Sequence, residues 1–366
     1  MNIWLKILFL IVVILILLGA IMVFTASGTV SFYKFNSDYY RMFLSHVLKI
    51  GLAILAMYAG AKFQYENYRK ISKWALLTII LVLIATLIFA PKVKGAQRWF
   101  LFFQPSEVAK VILLIHISNM IEKFGEKLKS FKEGFIYPLI WIAIVAGLVI
   151  AQPNVSTSII IVLTSFTVLF VAGAQWKHIL GIFSSAGVVV GSLALILRHS
   201  RERILTYLNS LINGTDINIQ VTQAKIALGS GGLLGVGPGH SRQSDLFLPE
   251  SYADFIFSIL GEELGFLGTV GILLLYFFLF LVCMVIAKKA QDKFGQLIVI
   301  GLGFNIIITG FINAAVVTGL LPTTGITLPF ISYGGTSIIL FAFSIGVIIN
   351  IGRQTVKTQE LKVAQI

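Results

Sequence analysis

Cysteine is almost missing from this chain of 366 residues, and the lone Cys283 excludes both an internal disulfide framework and a cysteine-based zinc site. Charge is scarce as well. Only 12% of the residues are Asp, Glu, Lys or Arg, where a soluble domain carries about 25%, and 57% are hydrophobic. No soluble fold of this length buries such an apolar surplus. Acidic residues number 15 against 28 Lys and Arg, a net charge of +13, yet the cations are scattered over many short loops. No tract is dense enough to follow a phosphate backbone, so topology rather than a nucleic-acid partner accounts for the excess. A small-residue cleavage site is missing too, and the first apolar run, Ile3 to Ala26, reads as a retained span instead of a signal peptide.

What the chain does have is a succession of apolar runs of about 18–25 residues, each long enough to cross a hydrocarbon core of ~30 Å. The expected fold is all-α: one polytopic membrane domain over 1–366 with about ten transmembrane helices. They fall near 3–26, 44–61, 74–90, 104–121, 135–151, 155–173, 178–197, 264–287, 295–318 and 334–352. An even count puts both termini on one side. With the termini cytoplasmic, the inner segments hold 16 of the 28 Lys and Arg and the short outer loops hold five (Lys34, Arg41, Lys92, Lys94 and Arg98), the asymmetry of the positive-inside rule. A large extracytoplasmic loop, 198–263, then joins helices seven and eight. The segments 91–103, 152–154 and 319–333 also face outside, and 353–366 forms a cytoplasmic tail.

Those outer segments hold most of the unusual residues. Gly95-Ala96-Gln97-Arg98-Trp99 is followed by Gln104-Pro105-Ser106-Glu107-Val108-Ala109-Lys110. Pro105 suits a first helical position and Glu107 suits the positive end of the helix dipole. Lys110, three residues on, sits on the same face inside a lipid-buried helix, where an ionisable group is expensive and usually functional. The pair is expected beside a cavity. Leu248-Pro249-Glu250-Ser251-Tyr252-Ala253-Asp254-Phe255-Ile256-Phe257 leads on to Gly261-Glu262-Glu263-Leu264-Gly265, placing Asp254 where the outer loop re-enters the membrane. The glycine-rich run Gly229 to Ser241 reads either as a tight or flexible loop or as a backbone nest for an anion. Gly319 to Ser337 is uncharged and apolar, yet its Pro and Gly prevent a regular helix. Irregular backbone at membrane depth persists only where protein or a cavity shelters it, which points to a re-entrant wall between helices nine and ten.

Taken in order, these motifs resemble the SEDS family, whose members include FtsW, RodA and SpoVE. The likeness covers nearly the whole chain and rests on the signals at 95–110 and 248–265, and on Asn313 with Thr318-Gly319-Leu320-Leu321-Pro322 and Leu328-Pro329-Phe330-Ile331-Ser332-Tyr333-Gly334-Gly335. The wording around Gly237-Pro238-Gly239-His240-Ser241 and Leu248-Pro249-Glu250-Ser251 is closer to the division members than to the elongation members. The resemblance implies a peptidoglycan glycosyltransferase that polymerises lipid II into glycan strands beside a class B penicillin-binding protein and other divisome membrane proteins. The chain departs from the family at Asn154, where Asp is usual, at Lys94, where Asn is usual, and at Ser244, where a basic residue is frequent.

Chemistry alone narrows the donor in the same direction. A transferase acting at the outer face has no nucleotide sugar to use, and needs a donor already activated and carried by the membrane. A polyprenyl-diphosphate sugar meets that need. The reaction asks for a carboxylate base at the acceptor hydroxyl and for cations around the departing phosphates. Asp254 is the expected base. The expected substrate-binding set is Arg98, Trp99, Glu107, Lys110, Arg198, Arg201, Arg203, Ser241, Glu250, Glu262 and Ser332, with Arg242 a further phosphate partner. No required cofactor is implied, and a divalent cation, Mg or Mn, is left open as a counter-ion for phosphate. The rival readings are a flippase for a lipid-linked precursor, disfavoured because its site would lie near the midplane, and a scaffold, which leaves Glu107 and Lys110 unexplained.

Overall fold

The computed structural model describes residues 3–92, 97–196, 198–213, 218–245 and 247–363. Among them every regular element is a helix: α1 (Ile3–Lys34), α2 (Arg41–Lys62), α3 (Tyr65–Phe89), α4 (Pro105–Phe124), α5 (Ile136–Ala151), α6 (Val155–Val171), α7 (Trp176–Ile196), α8 (Arg198–Asn213), α9 (Ile219–Ser230), α10 (Ile256–Lys288), α11 (Lys293–Val317) and α12 (Thr336–Val363). Each of the ten expected spans overlaps one of these. Among the described residues seven helices are long and apolar enough to cross a membrane: α1, α2, α3, α5 with the turn before it, α10, α11 and the first twenty residues of α12. Four charged residues, Glu107, Lys110, Glu122 and Lys123, keep α4 out of that set. The stretch expected as a tail continues α12 as far as Val363.

The helices sort themselves by how much of each is covered. In the apolar stretch of α11, 72% of residues are buried inside the protein, against 17% in α2. Helix α11 is therefore the axis of the bundle, packed on α10, α4, α6, α9 and α12, whereas α2 lies outside and leans chiefly on α12. Small residues set that last contact. A Cβ at Gly60 would meet the Phe343 carbonyl oxygen at 2.7 Å, and one at Gly346 would meet that of Met57 at 2.1 Å, so the two backbones touch. At the end away from the unusual loops, Arg69 ties three helices together. Its guanidinium reaches Asp292 at 2.7 Å and Glu122 at 3.1 Å, while Asp292 caps α11 through the Gly295 amide.

The loop between α7 and α10 is more structured than its polar sequence suggests, since α8 and α9 occupy half of it. The glycine-rich run packs against α10. Helix α10 breaks at Gly265 (φ 70°, ψ −169°), and the run fills the break. The Val236 and Gly237 amides donate to the Glu262 and Glu263 carbonyls, and the Phe266 and Leu267 amides donate to those of Gly232 and Leu233. Gly235 (φ 82°) comes so close that a Cβ there would stand 2.1 Å from the Glu263 carbonyl oxygen. Only glycine satisfies both the backbone angle and the contact.

Residues 319–335 form no helix, yet Leu328, Phe330, Ile331 and Ser332 are buried. Protein shelters this backbone as the sequence demands: Tyr276 donates its hydroxyl hydrogen to the Pro329 carbonyl, and Asn313 Nδ2 donates to that of Ile326 at 2.7 Å. Lys94, Gly95, Ala96 and Asp216 lie outside the described residues.

Candidate active site

A cavity of about 660 Å³ opens where the segments carrying the unusual motifs meet. Its walls come from the loop before α4, from α4 itself, from residues 154–160, from α8, from the 250–255 turn and from the irregular 323–337 segment. Of the residues singled out in the sequence, Arg98, Trp99, Glu107, Lys110, Arg203, Glu250 and Asp254 line it together.

Asp254 stands two residues before the first turn of α10, and the backbone around it is clamped from behind. Asn313 Nδ2 donates to its carbonyl at 2.8 Å, Ser332 Oγ to that of Ala253 at 2.7 Å, and the Tyr333 amide to that of Tyr252 at 2.9 Å. Three consecutive carbonyls are thus held by α11 and by the irregular segment, which leaves the Asp254 carboxylate facing the cavity. Gly325 stands across from it. A Cβ on that glycine would lie 3.5 Å from Asp254 Oδ2 and 3.9 Å from an Arg98 Nη1, so carboxylate, guanidinium and a side-chain-free backbone meet at one point.

The electrostatics follow from that meeting. Burial lowers the Arg98 guanidinium below its usual value, the Arg203 charge adds to this, and Asp254 opposes it. Arg203 is lowered by burial and likewise supported by Asp254. Both remain cations at any physiological pH. Arg98 donates to the Pro153 carbonyl and Arg203 to that of Thr323 at 3.1 Å, bonds that fix where the two charges sit. Burial, followed by the charge and hydrogen bond of Glu250, pushes the Tyr252 hydroxyl up to about 12, so Tyr252 stays a hydrogen-bond donor in this wall.

Deeper in, Lys110 Nζ and Glu107 Oε2 are 3.0 Å apart, the lysine 2% and the glutamate 14% exposed. The ammonium also lies 5.4 Å from the centre of the Phe341 ring. Asn154 reaches this wall too. Its Nδ2 donates to Ser106 Oγ at 3.3 Å, a bond that an ionised carboxylate at this position could not donate.

Lys49 is a cavity residue that reading the chain as spans hid. It was visible only as a charge inside a helix, but its ammonium lies 3.7 Å from the centre of the Tyr333 ring and lines the cavity. A lysine inside an apolar span was the available signal.

Other expected residues stand elsewhere. Ser241 and Glu262 are outside the cavity and bind each other at 2.5 Å; the Glu262 carboxylate also accepts from the Arg242 and Gln243 amides at 3.1 and 3.3 Å. That carboxylate, 2% exposed, organises the turn over the helix break and does not line the cavity. Ser332 is buried behind Asp254 and acts through the backbone. Arg201 is exposed on α8. Arg198 opens α8 and its side chain lies outside the described part. Among the described residues no group of three or more His, Cys, Asp or Glu is placed to hold a metal ion.

The FtsW/RodA/SpoVE family, described as "Cell cycle protein", matches residues 5–357. The "Probable peptidoglycan glycosyltransferase FtsW" of Geobacter metallireducens is 35% identical over 341 residues, covering 91% of this chain and 90% of that protein. Stage V sporulation protein E of Bacillus subtilis is 36% identical over 354 residues, covering 94% of each. Among solved structures, one described as "Structural coordination of polymerization and crosslinking by a peptidoglycan synthase complex" superposes with a TM-score of 0.77 at 23% identity over 95% of this chain and 97% of that one. The rod shape determining protein RodA of Thermus thermophilus gives 0.70 at 24% identity over 95% and 96%. At those identities the solved structures speak to the fold alone.

Proposed function

The chain belongs to the FtsW/RodA/SpoVE family of cell cycle proteins, and we propose that it is a peptidoglycan glycosyltransferase that polymerises lipid II into glycan strands, with Asp254 as general base. The observation that carries this reading is the single cavity in which Asp254, Arg98 and Arg203 converge beside the Glu107–Lys110 pair. In the reaction Asp254 takes the proton of an acceptor sugar hydroxyl as its oxygen bonds to the anomeric carbon of the donor. The bond from that carbon to the diphosphate oxygen breaks, and the electron pair leaves on the lipid diphosphate. Developing negative charge there is met by Arg98, Arg203 and Lys49, cations held in place before the reaction starts.

The similarity to FtsW and to a sporulation relative supports a role in division or in a related septal process. A class B penicillin-binding protein is the partner that the family resemblance implies, and the solved complex, described as coordinating polymerization and crosslinking, supports a crosslinking partner. In this reading both termini are cytoplasmic and the cavity opens on the outer side of the inner membrane, where a lipid-carried donor would be used; the excess of Lys and Arg in the segments assigned to the inside supports it. The scheme requires no cofactor; a divalent cation, Mg or Mn, would serve only as an additional counter-ion for the diphosphate.

Two measurements test the reading. Purified protein with its partner is expected to convert lipid II into long strands on a glycan gel; a preparation that scrambles lipid II across vesicles but never polymerises it would establish the flippase instead. In a Cys283→Ala background, a cysteine at Asn213 is expected to react with an impermeant thiol reagent in intact cells and one at Ser130 is not. Labelling at Ser130 would reverse the topology.

A further inference from the structure

Helix α2 lies at the edge of the bundle, and Lys49 is what it brings to the cavity. The flexible lysine stem would let that charge wander, so its position depends on what holds it. Ser45 and Lys49 stand four residues apart on α2 and share a face, and a single side chain meets both. The Tyr333 hydroxyl donates to Ser45 Oγ at 3.2 Å, while the Lys49 ammonium lies 3.7 Å from the centre of the Tyr333 ring. The ring itself is hemmed in. The fully buried His46 ring stands 5.8 Å from it, and the Tyr252 ring meets it edge-on at 5.6 Å. The Tyr333 amide donates to the Tyr252 carbonyl at 2.9 Å, so the residue that holds Lys49 is anchored to the turn that carries Asp254.

The kind of contact decides what Lys49 can do. A carboxylate cancels the charge of its lysine, as Glu107 does for Lys110. An aromatic face attracts an ammonium through its quadrupole and leaves the charge whole, available to an anion in the cavity. In the donor, the diphosphate oxygen on the anomeric carbon is esterified; as that bond breaks, the oxygen takes up the electron pair and becomes charged. A cation fixed in advance stabilises the departing state more than the bound donor, which is the difference that accelerates a reaction. We propose that Tyr333 is a positioning residue for the transfer, its ring and hydroxyl holding the Lys49 ammonium where charge grows on the departing diphosphate. The proposal rests on the function proposed above and adds to it a residue that acts through another.

The test uses the intact chain in lipid nanodiscs with its partner. Tyr333→Phe keeps the ring and should polymerise lipid II with kcat within about threefold of wild type, the loss of one neutral hydrogen bond. The same phenyl ring is then given successive fluorines, which withdraw electrons from its face and nearly keep its shape. Along this series kcat should fall steadily, by about tenfold at the fully fluorinated ring, the scale of a desolvated cation–π contact, with KM little changed. In a Lys49→Met background the series should be flat. Equal kcat along the series would make the ring merely structural, and the same decline in both backgrounds would mean that it acts on some other group; either result overturns the proposal. Inorganic pyrophosphate, which carries the freed oxygens of the leaving group, gives a readout that does not depend on turnover. Its Kd should rise about tenfold along the series with Lys49 present and stay constant in Lys49→Met. If it does not, or if pyrophosphate fails to bind wild type, Tyr333 does not hold the cation for a diphosphate. Failure of wild type to polymerise lipid II would sink the proposed function, while the titration still decided the role of Tyr333.

Discussion

Asp254→Asn protein is expected to fold, insert and bind lipid II, and to polymerise it ~10²–10⁴-fold more slowly, the usual loss when a general base is removed. The bonds that place residues 252–254 run through backbone carbonyls from Asn313, Ser332 and Tyr333, and all of them survive the substitution. What disappears is the basic oxygen and one negative charge between two guanidinium groups. Removing that charge leaves Arg98 and Arg203 more attractive to a diphosphate, so KM for lipid II should hold or fall while kcat drops. A merely structural role for Asp254 would lower the melting temperature and raise KM instead. Activity within a few-fold of wild type on a glycan gel would refute the assignment. Glu250, which lines the same cavity, would then be the next carboxylate to test. Glu262 no longer competes, because its carboxylate is spent on the 241–243 turn.

Hydropathy and charge made the spans legible, because a lipid-crossing helix declares itself in about twenty consecutive residues. The cavity was legible for a different reason: ionisable groups such as Glu107 and Lys110 are so costly in a span that their presence already demands a partner. What stayed hidden depended on partners distant in the chain. The glycines at 231–239 read alone as a loop or a nest, and nothing near them says that the break they fill lies at Gly265. Glu262 read as a substrate contact, since a carboxylate satisfied by backbone amides of a turn twenty residues earlier leaves no local trace. Helices α8 and α9 were missed because their polar faces lower the hydropathy that marks spans.

The second large effect concerns stability, and it is asymmetric. Glu107 and Lys110 neutralise each other at 3.0 Å, but the lysine is 2% exposed and the glutamate 14%. Glu107→Gln therefore strands the more deeply buried ion and should cost up to ~3–5 kcal/mol, the range for breaking a buried pair. Lys110→Met strands a carboxylate that cavity water still reaches, and should cost less. Removing both ions together takes away the stranded charge, so the Glu107→Gln/Lys110→Met double variant should be more stable than Glu107→Gln alone, a coupling that the sum of the single effects does not predict. Thermal unfolding of the four proteins in one detergent reads this directly. Strictly additive losses would show that the two side chains do not act as a pair. Polymerisation separates structure from chemistry in the same set: the double variant is expected to recover its fold and remain slow, because the cavity beside Asp254 has lost the ammonium of Lys110.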